Sequence, residues 1–236
     1  MGLKQTIRFS SHPAARAVRN AYYFSEKFSV PAPSIVVQPL RVVFEAVRSA
    51  YYFFRRVFIA EPLFKAYCHS YGKDLHTDIF VPWVQGKGKI ILGDDVLIGG
   101  KVAFTFAARY TLNPVFEVGD HTGIGHECSF RVGKSITIGS HCRIASGVTM
   151  FDIPGHPMDP VTRMEGAAAP DEDVKPIVIG NNVWIGASSI IFPGVTIGDN
   201  SVIAMGACVM TNVPSDTVVG GNPARSMKSL AKGTNA

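Results

Sequence analysis

Between Ile179 and Pro214 the sequence counts in sixes, and that period excludes most folds. Ile179, Ile185, Ile191, Ile197, Ile203 and Val209 follow one another at six-residue intervals. Four places after each stands a small or branched residue: Val183, Ser189, Val195, Ser201, Ala207 and Val213. The place after the aliphatic is often Gly or Ala, as at Gly180, Gly186, Gly198 and Ala204. Helices repeat their side-chain directions about every 3.6 residues and strands about every 2, so neither produces this pattern. A parallel β-helix does: each hexad is a short strand plus a bend, and three hexads close one triangular coil. The aliphatic then points inward onto its counterpart in the next coil, and Gly or a small polar residue takes the corner.

The same count is fainter upstream. Leu92 and Ile98 open it, with Val96 and Val102 also inward. It slips by two, resumes through Phe106, Leu112, Val118 and Ile124, and slips again before Val132, Ile138, Ile144 and Met150. Slips of this size are expected to be small bulges at corners. From Asp152 to Pro176 the repeat stops among Pro, Gly, Ala and acidic residues, so this segment is expected to loop out of the coil. Long excursions from a rigid scaffold are where function concentrates. The expected organisation is an all-β coil over 86–220 with the loop 152–176, a basic helical segment over 1–85, and a turn and basic tail over 221–236.

Charge separates these regions. Net charge is +5, but residues 1–73 hold eleven Lys or Arg (Lys4, Arg8, Arg16, Arg19, Lys27, Arg41, Arg48, Arg55, Arg56, Lys65, Lys73) against three acids (Glu26, Glu45, Glu61). That is +8 there and −3 for the remainder. The basic end seeks an anionic partner and the repeat does not. A short helix is expected from about Ala14 to Phe28, and another over 40–60, between Pro39 and Pro62. In the second, Arg41, Glu45, Arg48, Tyr52 and Arg55 recur at steps of 4, 3, 4 and 3 and trace one polar stripe through Val, Phe and Tyr. Four arginines and a glutamate argue against a membrane span. An interfacial helix at an anionic membrane surface, or a helix packed on protein, fits the pattern. Cys68, Cys128, Cys142 and Cys208 form no paired motif; Cys128 and Cys142 fall at inward hexad places, where a thiol acts as a small hydrophobe. A reduced, cytoplasmic protein is expected, peripheral to the inner membrane face if the helix binds lipid. No nucleic-acid recognition motif accompanies the basic residues.

The loop opens Phe151-Asp152-Ile153-Pro154-Gly155-His156-Pro157-Met158-Asp159-Pro160. Histidine between Gly and Pro at a coil rim is not a core histidine, and an imidazole takes a proton near neutral pH, as a general base must. The hexads, this loop, Ile179-Gly180-Asn181-Asn182-Val183-Trp184-Ile185-Gly186 and the ending Gly221-Asn222-Pro223-Ala224-Arg225 together resemble the left-handed β-helix acyltransferases, in particular the maltose, galactoside and exopolysaccharide O-acetyltransferases. The resemblance covers roughly residues 85–228, and a weaker one reaches Glu61-Pro62-Leu63-Phe64-Lys65-Ala66-Tyr67.

What it implies is a homotrimer of prisms with active sites between subunits, acetyl-CoA as acyl donor, and no metal. His156 corresponds to the base that deprotonates a sugar or glycan hydroxyl, which attacks the thioester directly. Ala187 corresponds to the oxyanion donor and Trp184 to a wall of the acetyl pocket. Met205 and Thr211 correspond to pantetheine-lining positions, and Arg225 and Lys228 to phosphate holders. Galactoside-type members carry an Asn and an Asp on the coil before the loop to hold the sugar. This chain reads Ile124-Gly125-His126-Glu127-Cys128-Ser129-Phe130-Arg131-Val132-Gly133 there, which argues for another acceptor, a polysaccharide or lipid-linked glycan, with Glu127, Arg131 and Asp159 as candidate contacts. Two rivals share the scaffold: a trimeric β-helix without catalysis, and a γ-type zinc carbonic anhydrase using His121 and His126. The histidines' hexad places do not match the second, and the first leaves the loop histidine and basic ending unexplained.

Overall fold

The computed structural model describes residues 10–230. The chain divides into two units, Met1–Ser49 and Ala50–Ala236. The second contains a left-handed parallel β-helix, an exception to the right-handed rule for parallel connections. As far as Cys208–Val209, successive strands fall in turn on three sheets, so every third strand pairs with its predecessor, parallel and in register. The last two, Thr217–Gly220 and Arg225–Ser229, both join the second sheet and run antiparallel to each other. On the first sheet Ile179 pairs with Ile197, on the second Ile185 with Ile203, and on the third Ile191 with Val209. All six are buried, as are the six residues four places on. The inward serines are satisfied by carbonyls of the following coil: Ser189 Oγ donates to Ala204 O at 3.0 Å and Ser201 Oγ to Pro214 O at 2.7 Å.

Corners are made by residues that tolerate close approach or left-handed backbone. A Cβ on Gly186 would lie 2.5 Å from the Met205 amide nitrogen, so the next coil leaves no room for one. Asn182 (φ 54) and Asn200 (φ 60) occupy the left-handed region that Asn enters more readily than most residues.

The frame slips have a different cause from the expected bulges. The strands Ala103–Phe106 and Ser129–Val132 are four residues long and turn two side chains inward, Phe104 with Phe106 and Phe130 with Val132. The count therefore jumps by two inside a strand, not at a corner. Leu112 is also corrected: it is 90% exposed, because residues 107–114 leave the coil before Val115–Val118 resumes it. The coil also has strands upstream of residue 86, at Ser70–Tyr71, His76–Thr77 and Trp83–Gln85. Thr77 takes the inward place above Ile98, so that coil lacks the aliphatic signature.

Among the described residues, three α-helices precede the coil. Helix α1 spans Pro13–Lys27 and α2 spans Ser34–Arg55. Helix α2 starts six residues before the expected 40 and contains Pro39. Pro39 is the sixth residue of α2, past its first turn, so its missing N–H leaves the Ile35 carbonyl without the usual helical partner. A π-helical turn, Arg56–Ala60, leads into α3, Glu61–Tyr67. Phe64 of α3 closes the end of the prism: it is fully buried and stacks on Phe104 at 5.9 Å, which stacks in turn on Phe130 at 5.5 Å. All four cysteines are free thiols. Burial pushes Cys128 up to about 11, as its inward place implies.

Candidate active site

Asp152 anchors the long loop. Its buried carboxylate accepts the amides of Gly133, Lys134 and Ser135 at 2.5, 2.7 and 2.8 Å, and its carbonyl accepts the Lys175 amide at 2.9 Å. Both ends of the excursion are therefore tied to one residue. Burial pushes this carboxyl above the usual range, with the three amides opposing the shift. Further out, the Tyr110 hydroxyl donates to Ala169 O at 3.1 Å, and Lys134 Nζ pairs with Asp171 at 3.0 Å. The segment 107–114 thus braces the loop that the coil extrudes.

Within the loop, helix α4 (Pro160–Met164) is capped by Asp159, whose carboxylate accepts the Thr162 amide at 2.8 Å. That bond holds the Asp159 carboxyl below the ordinary carboxylate range. Arg163 Nη1 donates to the carbonyls of Pro157 at 3.1 Å and Met158 at 2.8 Å. Pro157 is buried, Gly155 adopts φ +87, and His156 between them is exposed. The imidazole is thus presented outward from a segment whose next two carbonyls are clamped.

The expected coenzyme residues gather on the final coils. Trp184 lies on the outer face of the second sheet, 57% exposed, between Arg143 and Val202 in register. Ala187 and Met205 stand on the edge between the second and third sheets, where the Gly206 amide donates to Ala187 O at 2.8 Å. Thr211 and Arg225 line one cleft of about 130 Å³ with Val209, Asn212 and Pro214. Lys228 is exposed on the last strand opposite Val218, outside that cleft. Lys232 lies outside the described residues.

The expected acceptor residues do not converge within one chain. Glu127 lines a cleft of about 270 Å³ with Tyr52, Asp78, Phe80, Lys101 and His126. Arg131 is on the outer face of the third sheet, its guanidinium 5.7 Å from the Phe151 ring. The Asp159 carboxylate is engaged as a helix cap. In the Glu127 cleft the Gly100 amide donates to His126 Nδ1 at 3.0 Å, and Lys101 pairs with Glu127 at 3.3 Å. One hydrogen-bonded edge runs from this cleft towards the coenzyme residues: Glu127 N to Gly100 O, Gly147 N to His126 O, Ser188 N to Ser146 O, Gly206 N to Ala187 O. Adjacent coils are about 4.8 Å apart, so Glu127 and Ala187, two coils away from each other, are separated by about 10 Å along that edge.

His121 belongs to a different edge. It bonds Asp95 at 3.1 Å and stacks on His141 at 4.8 Å, so it does not share a site with His126. Among the described residues no group of three or more His, Cys, Asp or Glu side chains is arranged to hold a metal ion.

A hexapeptide-repeat model of succinyl-transferases matches residues 176–210. The galactoside O-acetyltransferase of Escherichia coli K12 is 43% identical over 96 residues, 41% of this chain and 45% of that protein. A Lysinibacillus sphaericus protein named "probable macrolide acetyltransferase" is 34% identical over 121 residues, covering 46% of this chain and 67% of its own length. The chain belongs to the hexapeptide-repeat acyltransferases. Among solved structures, a hexapeptide-repeat acetyltransferase from Vibrio cholerae complexed with acetyl-coenzyme A matches with a TM-score of 0.54 and 29% identity, over 76% of this chain and 83% of that one. The chain spans about half the length of the curated relatives it matches first.

For this hexapeptide-repeat acyltransferase, sequence reading missed Asp152, Arg163 and Tyr110, which shape the loop, and Asp78, Phe80 and Lys101, which line the Glu127 cleft. An acid at the point where the repeat breaks was a usable signal for Asp152. Asp78 and Phe80 sit on a coil that the aliphatic count passes over, so no local signal marked them.

Proposed function

We propose that this chain is an acetyl-CoA-dependent O-acetyltransferase that acts as a homotrimer on a hydroxyl of a polysaccharide or lipid-linked glycan. The observation that carries this reading is the exposed His156, held on a braced loop of an acyltransferase scaffold. His156 accepts the hydroxyl proton as the acceptor oxygen attacks the thioester carbonyl carbon. The tetrahedral intermediate then collapses, the C–S bond breaks, and the coenzyme thiolate takes the proton back from the imidazolium. Such a base contributes about 10²–10⁴-fold. The oxyanion needs a donor, and the Ala187 amide, which engages no other group among the described residues, is suited to it. Trp184 walls the acetyl group, Met205 and Thr211 contact the pantetheine arm, and Arg225 and Lys228 meet the phosphates as cations.

The Glu127 cleft is the acceptor seat this reading favours. It offers carboxylates at Asp78 and Glu127 to accept hydroxyl protons, and aromatic faces at Phe80 and Tyr52 for the apolar side of a sugar ring. It also stands on the same edge as Ala187 and Met205. The test is thiol release from acetyl-CoA across free and lipid-linked glycans, with the mass in solution taken by light scattering. Acceptor-dependent release by a trimer is expected. A trimer that releases no thiol with any acceptor, from acetyl or longer acyl donors, would return the chain to the scaffold reading.

A further inference from the structure

Helices α1 and α2 have the same design. In α2 the residues Ser34, Gln38, Arg41, Glu45, Arg48, Tyr52 and Arg55 step by 4, 3, 4, 3, 4 and 3, which keeps them on one face. The remaining circumference is almost wholly apolar, and neither helix contains a buried residue. Val43, Phe44 and Val47 are 61%, 62% and 64% exposed. In α1, Arg16, Arg19 and Lys27 share one side, while Val18, Tyr22 and Phe24 are exposed. Together the two helices have six cations (Arg16, Arg19, Lys27, Arg41, Arg48, Arg55) against two acids (Glu26, Glu45).

We infer that these helices lie in the surface of an anionic membrane and bring the enzyme to it. Three properties select lipid over protein as the occupant. The apolar arc covers more than half of α2, wider than the stripe a globular neighbour normally covers. The end of the polar stripe meets the coil, where Arg55 Nε donates to Ile79 O at 3.0 Å. The rest presents Arg41 and Arg48, cations as attraction to anionic headgroups requires, whose stems reach from the apolar boundary to such groups. Tyr22, Tyr23 and Tyr51 supply amphipathic rings suited to headgroup depth. No helix among the described residues is long and apolar enough to cross the bilayer, which leaves interfacial binding as the mode for these helices.

The inference does not depend on the acceptor. Its test is co-sedimentation of the full chain with phosphatidylcholine vesicles, with and without about one-third phosphatidylglycerol. Binding to the anionic vesicles is expected, falling between about 0.1 M and 1 M salt as screening shortens. The double variant Arg41→Ala/Arg48→Ala should bind them roughly 30-fold more weakly, from about fivefold per basic residue. Val43→Glu/Val47→Glu should abolish binding and leave the oligomeric mass unchanged. A wild-type chain that stays in the supernatant, or binds both vesicle types equally, overturns the inference. So does a Val43→Glu/Val47→Glu variant that changes oligomeric mass while still binding vesicles, since the face would then belong to a second copy.

Discussion

The Asp152 carboxylate accepts the Gly133 amide at 2.5 Å across the gap from which the 25-residue excursion 152–176 departs. It also holds the Lys134 and Ser135 amides, so one side chain supplies the acceptors for a complete corner. Asp152→Ala leaves these donors without partners near the core, where each unsatisfied group costs about 1–3 kcal/mol. A loss of at least about 2 kcal/mol in denaturant unfolding is expected, with loop proteolysis rising in parallel. Unchanged stability would show that the corner holds without the carboxylate.

His156 is exposed, so its removal opens no core. His156→Ala is expected to retain the native circular dichroism and oligomeric mass and to lose about 10²–10⁴-fold in thiol release. Near-native turnover would remove the imidazole from the mechanism.

Arg163 positions His156 through the Pro157 and Met158 carbonyls. Misplacement by about 1 Å costs up to about 10²-fold in rate. Arg163→Ala should therefore depress kcat by about 10-fold or more, with KM for acetyl-CoA and the melting temperature nearly unchanged. A pure rise in KM would instead make Arg163 a binding residue.

Arg225 shares the C-terminal cleft with Thr211. Arg225→Ala should raise KM for acetyl-CoA and leave kcat close to wild type, the pattern of a lost ground-state contact. A depressed kcat with constant KM would contradict the phosphate-holding role.

Asp159 gives a pH-dependent signature. Its folded carboxyl titrates below the ordinary carboxylate range because its ionised form accepts the Thr162 amide. The stabilisation is therefore complete above the unfolded value of about 3.9 and disappears as pH falls through the lower folded one. The protection factor of the Thr162 amide, its exchange relative to the intrinsic rate at the same pH, should be high near neutral pH and fall in acid, while Asp159→Ala should show low protection at every pH. Equal protection in the variant would remove the cap.

The coil was legible because its constraint is local and repeated. Ile185 must meet Ile203 at every turn, and Gly186 must yield to the Met205 backbone, so a fixed spacing of residue types records the architecture directly. His156 was singled out for the opposite reason, as a histidine where the repeat breaks, and it lies exposed on the excursion. Tertiary structure decided what hydrogen bonds across many residues determine. Leu112 keeps hexad spacing yet lies outside, because a four-residue strand satisfies the core with Phe104 and Phe106 and frees the next segment to brace the loop through Tyr110. Asp159 has the composition of a ligand residue, but its carboxylate caps α4. The Glu127 cleft unites Asp78 with Lys101 and His126, which only the stacking of successive coils brings together. A period reports which side chains face inward; which polar groups satisfy one another across coils depends on partners 13 residues apart for Ser201 and Pro214 and 59 apart for Tyr110 and Ala169.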